Sequence, residues 1–419
     1  MKYSKYEIGP YNLHIIKTDK FKTINMHIDF RRKAIKGELT YRRLLSDILF
    51  ESTAKYPSQR SLIIAKEDLY NQKISGGSRI SGKTAFMSFS TQFLNEKYTE
   101  KGMLEKSITF FLETIFEPDF KDGNFRSDKL EIVKNKAVDS FKERDKNPSY
   151  YAYVKMLEAM DPNAYYSFVG SGYMDDLEKI TPKSLTEYYK KVIHSDLIDV
   201  FIVGDVDNQV IKKMLTERIP VNTIKKQSDS LYIEHEKVRK RAKKVKENFD
   251  SKQSQLVMGA KISKLTDFEK NYVWYVYNYI LGRGPDSKLF NTVREKHSLC
   301  YSISSQIKIL SNILIIRAGI NQENGEKTIK LIRKEINNIA KGLIEETEIS
   351  NTITTFVNSF KEITNSPISI MEYYIARVYY NDDDIDMKIA NVQKITKQMI
   401  VDFAKKIHVD TIFLLEGGG

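Results

Sequence analysis

An internal repeat constrains the fold of this chain more than any other feature of its sequence. The stretch DLEKITPKSLTEYYKKVIHSDLIDVFIVG (176–204) returns in altered form as NVQKITKQMIVDFAKKIHVDTIFLLEG (391–417). Thr181 and Thr396 lie 215 residues apart (396 minus 181), and each stands where a helix N-cap is expected. Each copy continues with a helix, a turn and a β-branched strand that ends at a glycine. Such a repeat predicts a duplicated domain.

The beginnings of the two halves also correspond in the order of their predicted elements. TINMHIDF (23–30) alternates apolar and polar residues, which indicates a half-buried strand, and SQLVMGAKI (254–262) is a second apolar strand. Further strands are predicted at 84–93 and 312–320, and each is followed by a long helical segment. We therefore predict an α+β fold of two duplicated α/β sandwich domains, each with an antiparallel-rich sheet and helices packed on one face. We assign the domains to residues 1–233 and 234–419.

The net charge of +12 and the basic run KVRKRAKKVK (237–246) raise the question of nucleic-acid binding. A solvated linker or an edge strand is the simpler explanation of the run. Neither a glycine-rich phosphate loop nor an aromatic RNA-recognition motif is found, so no nucleic-acid partner is predicted. No apolar run approaches the roughly 20 residues of a membrane span. The single cysteine, Cys300, is typical of a reducing compartment, and we predict a cytoplasmic protein.

A search for catalytic groups among the residues finds no chemical centre. No two of the six histidines lie within four residues of each other, so no helix carries a local histidine pair for zinc. The segment TYRRLLSDILFEST (40–53) predicts a helix with Thr40 as its N-cap and an apolar face. Beside that face lie Arg43, Ser46 and Asp47, and only Asp47 is a residue type that binds metal ions.

The second half contains the segment LGRGPDSKLFNTVREKHSLCYSISS (281–305), in which a glycine-rich turn is followed by Ser-x-Leu-Phe, Arg-Glu-Lys, Leu and Tyr-Ser. In the first half, GDVD (204–207) lies at the end of the first repeat. Together with the duplication, these segments resemble the insulinase/pitrilysin-type zinc peptidases, the group that includes mitochondrial processing peptidase. The resemblance covers essentially the whole chain. It is closest to a bacterial subgroup of catalytically inactive members that accompany an active relative.

The resemblance implies that the zinc site has been lost. Active members carry His-x-x-Glu-His on the first long helix and a third ligand, a glutamate, on a later helix. RLLSDILFEST aligns with the first motif and places Arg43 and Asp47 at the histidines and Ser46 at the glutamate base, while Ser140 falls at the third ligand. Arginine does not bind zinc, and serine cannot act as the carboxylate base that activates water. We therefore predict no cofactor and no peptidase activity for the chain alone.

The resemblance also implies a role for four residues of the second domain. In the wider family an arginine and a tyrosine seven residues apart contact the substrate, and Arg294 and Tyr301 have that spacing. Gly282 and Gly284 would let an extended peptide approach the backbone, or would simply end a helix. We predict a non-catalytic subunit that binds peptide and completes the active site of a zinc-bearing partner. An ion pair for Arg294 and a packing role for Tyr301 remain open, as do a pure scaffold subunit and an autonomous peptidase with an altered site.

Overall fold

The strands of the structure, a computed structural model that describes residues 1–220, 232–233, 235 and 238–417, form two larger sheets and one small hairpin. The strands are β1 (Lys2–Ile8), β2 (Tyr11–Lys17), β3 (Thr23–Lys33), β4 (Lys73–Ser81), β5 (Thr84–Leu94), β6 (Phe120–Lys121), β7 (Asn124–Phe125), β8 (Leu197–Gly204), β9 (Lys243–Phe249), β10 (Ser254–Ile262), β11 (Cys300–Lys308), β12 (Ile313–Ile320) and β13 (Ile407–Gly417). β6 and β7 pair only with each other.

Helices follow the strands in each half. The α-helices are α1 (Leu39–Ile48), α2 (Gln59–Asp68), α3 (Met103–Phe116), α4 (Ser127–Lys146), α5 (Pro148–Met160), α6 (Pro182–Ser195), α7 (Asn208–Arg218), α8 (Trp274–Asn278), α9 (Gly325–Ala340), α10 (Glu346–Glu362), α11 (Pro367–Tyr380), α12 (Ile385–Val392) and α13 (Lys397–Lys405). Segments of π-helix cover Glu269–Val273, Tyr279–Arg283 and Phe290–Lys296. Short 3₁₀ turns cover Lys36–Glu38, Glu96–Tyr98, Tyr165–Ser167, Met174–Asp176, Ile309–Ser311, Gln322–Asn324 and Ile363–Asn365.

The two sheets share one topology, which confirms the predicted duplication and fold class. The first sheet has the order β1-β2-β8-β3-β5-β4, and the second, taken from its other edge, has the order β9-β13-β10-β12-β11. In both sheets one pair is parallel, β2 with β8 and β9 with β13, and the remaining pairs are antiparallel. Strands β2, β8, β3, β5 and β4 therefore correspond in order to β9, β13, β10, β12 and β11.

The chain divides into two compact units, and each takes one segment from the opposite half of the sequence. The first unit contains residues 1–141, 169–230 and 364–378, and the second contains 142–168, 231–363 and 379–419. The two units therefore do not simply follow the order of the chain. Helix α5 packs in the second unit, and most of α11 packs in the first. The predicted border between residues 233 and 234 stays a prediction, since residue 234 lies outside the described residues.

Each unit has an apolar core between its sheet and a layer of helices. In the first unit the alternate residues Ile24, Met26, Ile28 and Phe30 of β3 pack with apolar side chains of α1, α3, α4 and α6. In the second unit β10, β12 and β13 pack in the same way against α9 and α13. The opposite face of the second sheet is also apolar and is covered by α5, so helices lie on both of its faces and not on one alone.

Helix caps bear out the repeat but correct one local prediction. Thr181 and Thr396 each accept a backbone hydrogen bond at the N-terminus of α6 and α13, as predicted. Thr40, by contrast, lies inside the first turn of α1, whose N-cap residue is Glu38. The hydroxyl of Thr40 is engaged elsewhere, because it donates to Asp176 and accepts from the backbone N–H of Tyr173.

The basic run contributes an edge strand to the second sheet. Residues 243–249 form β9, which pairs on one side with β13, so the edge-strand interpretation is confirmed for this part of the run. Residue 237, at the start of the run, lies outside the described residues. Along the described part of the chain, no helix is both long and apolar enough to cross a membrane.

Candidate functional site

The helix that carries the substituted zinc motif keeps its packing face. Leu44, Leu45 and Ile48 of α1 are buried in the core of the first unit. On the neighbouring face, Arg43 Nε donates to Asp47 Oδ2 across 2.7 Å, and Ser46 Oγ donates to the carbonyl oxygen of Arg43 at 2.8 Å. The three residues that the resemblance places at two ligands and the base are therefore bonded to one another.

Ser140, which the resemblance places at the third ligand, lies on α4 in the same unit. Lys136 of α4 forms an ion pair with Glu51, which follows α1. Ser140 is half-buried and lies one helical turn after Lys136 on the same face of α4. Burial raises the pKa of Asp47, against the opposing effects of Arg43 and Lys136. The side chains that surround Asp47 thus include two cations, where an active enzyme needs metal ligands.

This set of residues does not fit a zinc ion. Zinc needs three protein ligands from cysteine, histidine and carboxylate groups at a catalytic site. Of the four motif positions only Asp47 offers such a group, and its carboxylate is bonded to Arg43. Residues 1–220, 232–233, 235 and 238–417 contain no group of three or more metal-binding side chains of the His, Cys, Asp and Glu types.

In the second unit, Arg294 and Tyr301 are both available at one end of β11. The Arg294 side chain is 46% exposed, lies in the π-helical segment that precedes the strand and stacks over Phe290 at 4.9 Å. Tyr301 is 63% exposed, and its hydroxyl donates to Asn321 Oδ1 at 3.3 Å. Burial raises the pKa of Cys300 to about 11, while the nearby charge of Arg294 acts in the opposite direction. Arg294 therefore lies close to the residue that precedes Tyr301.

The local backbone explains why Tyr301 points outward. The pairing of β11 with β12 shifts register between Cys300 and Ser302, so Tyr301 has no partner residue in β12. Such a bulge at a sheet edge re-aims a side chain away from the regular alternation. β11 is the edge strand of its sheet among the described residues, so Tyr301 lies at the edge of that sheet.

Packing accounts for the two glycines. A Cβ atom at Gly282 would lie 2.8 Å from both Leu289 Cδ1 and Ser305 Oγ, and one at Gly284 would lie 2.7 Å from the ring of Tyr279. Gly284 also follows the last residue of a π-helical segment, as the helix-stop interpretation expects. Their predicted contact with a peptide backbone stays a prediction.

A polar cluster that sequence reasoning missed lies on the outer face of the first sheet. Asp199 is fully buried, accepts from Asn12 Nδ2 at 2.9 Å and Arg31 Nε at 2.8 Å, and lies 3.3 Å from His14 Nε2. Burial opposes ionisation of Asp199, but hydrogen bonds and charge from His14 and Arg31 outweigh it and lower its pKa. The outer faces of β10, β12 and β13, which correspond to this region, carry mainly apolar residues instead.

The same face holds a second buried carboxylate, Asp29. Its oxygens lie 3.1 Å from His27 Nε2 and 3.9 Å from Arg79 Nη2, and Ser88 Oγ donates to it. The sequence signal is the polar set of the alternating strand 23–30, which we interpreted only as a half-buried strand. Burying a charge is costly unless it is paired, so these partners are required wherever this face is covered.

The duplicated sheet topology can be compared with that of known proteins. Residues 179–356 match the family model of the peptidase M16 inactive domain. A Bacillus subtilis (strain 168) protein named "Probable inactive metalloprotease YmfF" is 27% identical over 417 residues, which cover 99% of this chain and 97% of that protein. These matches confirm the resemblance to the M16, insulinase-type peptidases that the sequence predicts.

Solved structures agree on the fold. A conserved protein from Enterococcus faecalis V583 superposes with a TM-score of 0.92 at 24% identity, over 99% of both chains. The structure of a peptidase M16 inactive domain from Pseudomonas fluorescens superposes with a TM-score of 0.81 at 17% identity, over 100% of this chain and 99% of that one. At these identities the superpositions support the shared architecture alone.

Proposed function

We propose that this chain is the non-catalytic subunit of a heterodimeric insulinase-type zinc peptidase. In this role it binds the peptide substrate and completes the active site of a zinc-bearing partner subunit through Arg294 and Tyr301. The observation that carries the proposal is the joint exposure of these two side chains at the free end of β11.

The two side chains have suitable chemistry for amide hydrolysis. A guanidinium and a phenol both donate hydrogen bonds, and neither depends on a metal in the same chain. Donors placed at the oxygen of a tetrahedral intermediate stabilise the charge that develops in the transition state. Such donors would complement a partner that brings zinc and a base. Loss of the ligands at Arg43, Ser46, Asp47 and Ser140 is compatible with this division of labour.

The alternative function is a scaffold subunit that descends from a peptidase and does not bind peptide. The contacts of Arg294 favour this alternative, because its Nε lies 3.8 Å from Glu295 Oε1 and its guanidinium lies over the ring of Phe290. The hydrogen bond from Tyr301 to Asn321 also favours the scaffold alternative. These contacts lie at the surface, however, where ion pairs contribute little to stability. Their weakness leaves both side chains free to exchange partners for a peptide.

The proposal includes a cytoplasmic location and excludes nucleic acid as a partner. The single cysteine, Cys300, supports the first point, since it is buried and has no second cysteine with which to form an internal disulfide. The charge in the strand β9 supports the second. Lys244 and Lys246 are paired with Glu326 and Glu416, so part of the basic run is already neutralised.

The experiment is reconstitution of the purified chain with a zinc-bearing M16 subunit encoded in the same genome. The rate of hydrolysis of a quenched fluorescent peptide library is measured for each subunit and for the mixture. We expect a stable complex whose rate exceeds the sum of the separate rates. Tyr301→Phe should lower that rate while Tyr98→Phe, at another exposed tyrosine, should not. A complex that forms but shows no added rate would favour the scaffold alternative.

A further inference from the structure

A cleft of about 740 Å³ lies in the first unit between the outer face of the sheet and α11. Its volume falls within the roughly 300–1,000 Å³ of small-ligand sites. The floor comes from β3, β4 and β5 and is mainly polar, although Met26 and Ile74 also belong to the lining, and the opposite wall comes from α11. The floor residues are Asn25, His27, Lys73, Ser75, Ser90 and Gln92, and the wall residues are Ile368, Met371, Glu372 and Ile375.

The floor and the wall do not match each other chemically. Ile368, Met371 and Ile375 follow the i, i+3, i+7 spacing of one helix face, and Ile368 is 58% exposed. Facing them is a row of hydroxyl, amide and imidazole groups. A ligand complementary to both surfaces has aliphatic side chains on the side that faces α11 and hydrogen-bonding groups on the side that faces the sheet. An extended peptide has this character, because its side chains and amide groups project in different directions.

Three buried polar atoms of the lining, Asn25 Nδ2, His27 Nε2 and Gln72 Oε1, have no hydrogen-bond partner among the described residues, and the first of them is a donor of the floor. Asn25 is 6% exposed, and its Oδ1 accepts a hydrogen bond from Gln92 Nε2 at 3.1 Å. Its Nδ2 is buried and makes no hydrogen bond to any described residue. A buried donor left unsatisfied costs about 1–3 kcal/mol. A ligand carbonyl oxygen that reached Asn25 Nδ2 would remove that cost.

The charges at the cleft favour an anionic ligand. Lys66 and Lys73 line the cleft, and neither forms an ion pair with any residue that the structure describes. Glu372 is the single carboxylate among the described lining residues, so two ammonium groups face one acid. A carboxylate on the ligand would pair with the lysines, and Glu372 would remain as an acceptor for a peptide N–H.

We propose that this cleft binds a short aliphatic peptide by its free C-terminal carboxylate. Lys66 and Lys73 bind the carboxylate, Asn25 and Gln92 bond the peptide amides, and the aliphatic side chains lie on α11. This site is independent of the proposed role of Arg294 and Tyr301, because it lies in the other unit and needs no partner subunit.

The test is calorimetric titration of the full chain alone with three ligands. These are N-acetyl-Leu-Val-Leu as the free acid, the same peptide as its C-terminal amide, and octanoate. We expect the acid to bind, and the amide to bind at least about tenfold more weakly because it lacks the charge-assisted bonds. Lys66→Gln and Lys73→Gln should each reduce this discrimination, and Asn25→Ala should weaken both peptides. Lys33→Gln, on β3 and outside the cleft lining, serves as the matched control.

Each other outcome overturns part or all of the proposal. Equal affinity for acid and amide would contradict the carboxylate contact. Octanoate that binds as tightly as the acid would contradict the contribution of the peptide amides and assign the cleft to a fatty acid. No binding of any ligand at millimolar concentration would remove the site. Circular dichroism melting of every variant establishes that a loss of binding is not a loss of fold.

Discussion

Arg43 and Asp47 are joined by an ion pair of 2.7 Å across one turn of α1, at the two positions where active relatives of this chain are expected to carry histidine ligands. The pair is about one-quarter exposed on both sides. It therefore stabilises the helix only slightly. Its consequence is chemical, because the one carboxylate that could approach a metal ion is held by a permanent cation.

The first prediction concerns zinc. The purified chain should retain less than about 0.1 zinc per chain after dialysis, since one ligand cannot hold the ion. It should cleave no peptide alone. The metal content is measured by plasma mass spectrometry. About one zinc per chain, removed by Asp47→Ala, would contradict the account of the site.

Restoring the motif is the matched experiment. A variant with Arg43→His, Ser46→Glu, Asp47→His and Ser140→Glu should bind about one zinc per chain, because three ligands then converge from α1 and α4. A variant with the first three changes but native Ser140 should bind zinc more weakly. Equal affinity of both variants would show that Ser140 does not stand at the third ligand position.

A buried ion pair near the start of α1 should matter more for stability than the exposed one. Arg42 and Asp196 are almost fully buried, and Arg42 also donates to the carbonyl oxygen of Phe30. Asp196→Asn should reduce the free energy of unfolding by about 3–5 kcal/mol, because it leaves a buried guanidinium without its counter-charge. Urea unfolding measures the loss. Lys213→Gln, in a surface pair with Glu217, should change it by less than about 1 kcal/mol.

Lowering the pH should reduce the folding stability of the first unit, because Asp29 becomes protonated. Burial alone would raise the pKa of this carboxyl, but the charge and hydrogen bonds of His27, with Arg79 and Ser88, lower it to about 2 from an ordinary 3.8. The unfolded chain binds the proton more tightly, so this stabilisation is present above about pH 4 and is lost as the pH falls toward 2. Complete loss is worth about 2 kcal/mol.

The measurement compares urea midpoints at pH 6 and pH 3 for the wild type and for Asp29→Asn. The wild type should lose more stability over this interval than the variant, whose amide does not titrate. Asp139→Asn, an exposed carboxyl on α4, is the control and should behave as the wild type does. Parallel losses in the wild type and in Asp29→Asn would contradict the assignment.

Limited proteolysis tests the division of the chain. Trypsin should cut first near Lys240 and Arg241, which are exposed and precede β9. The two fragments should nevertheless elute together in gel filtration, because each unit contains a segment of the other half, 142–168 or 364–378. A first cut inside 176–204, or fragments that separate under native conditions, would contradict this account.

Local features of the fold could be predicted from the sequence, and long-range ones could not. The caps at Thr181 and Thr396 and the alternating strand at 23–30 depend on neighbouring residues, and all three predictions are confirmed. Thr40 was a wrong N-cap because Asp176, far along the chain, contacts its hydroxyl. The exchange of α5 and α11 between units has no local signal, since it depends on which sheet face a helix covers.

The same limit applies to the candidate sites. The motif that the resemblance places on α1 is a short pattern of residue types, so the prediction that Arg43, Ser46 and Asp47 do not bind zinc needs only the sequence and stays a prediction. The polar face with Asn25, His27 and Asp29 has the alternation of a solvent-exposed strand face. The sequence gives no sign that Asp29 is buried, because its partners Ser88 and Arg79 lie on other strands.

The rate of a reconstituted heterodimer that carries Arg294→Ala tests the central proposal most directly. Loss of one transition-state donor typically costs on the order of 100-fold in turnover. We expect such a decrease with association unchanged, while Arg333→Ala, at an exposed arginine of α9, leaves the rate at the wild-type value. A heterodimer with Arg294→Ala that assembles normally and hydrolyses peptide at the wild-type rate would contradict the proposed role and leave the chain a scaffold.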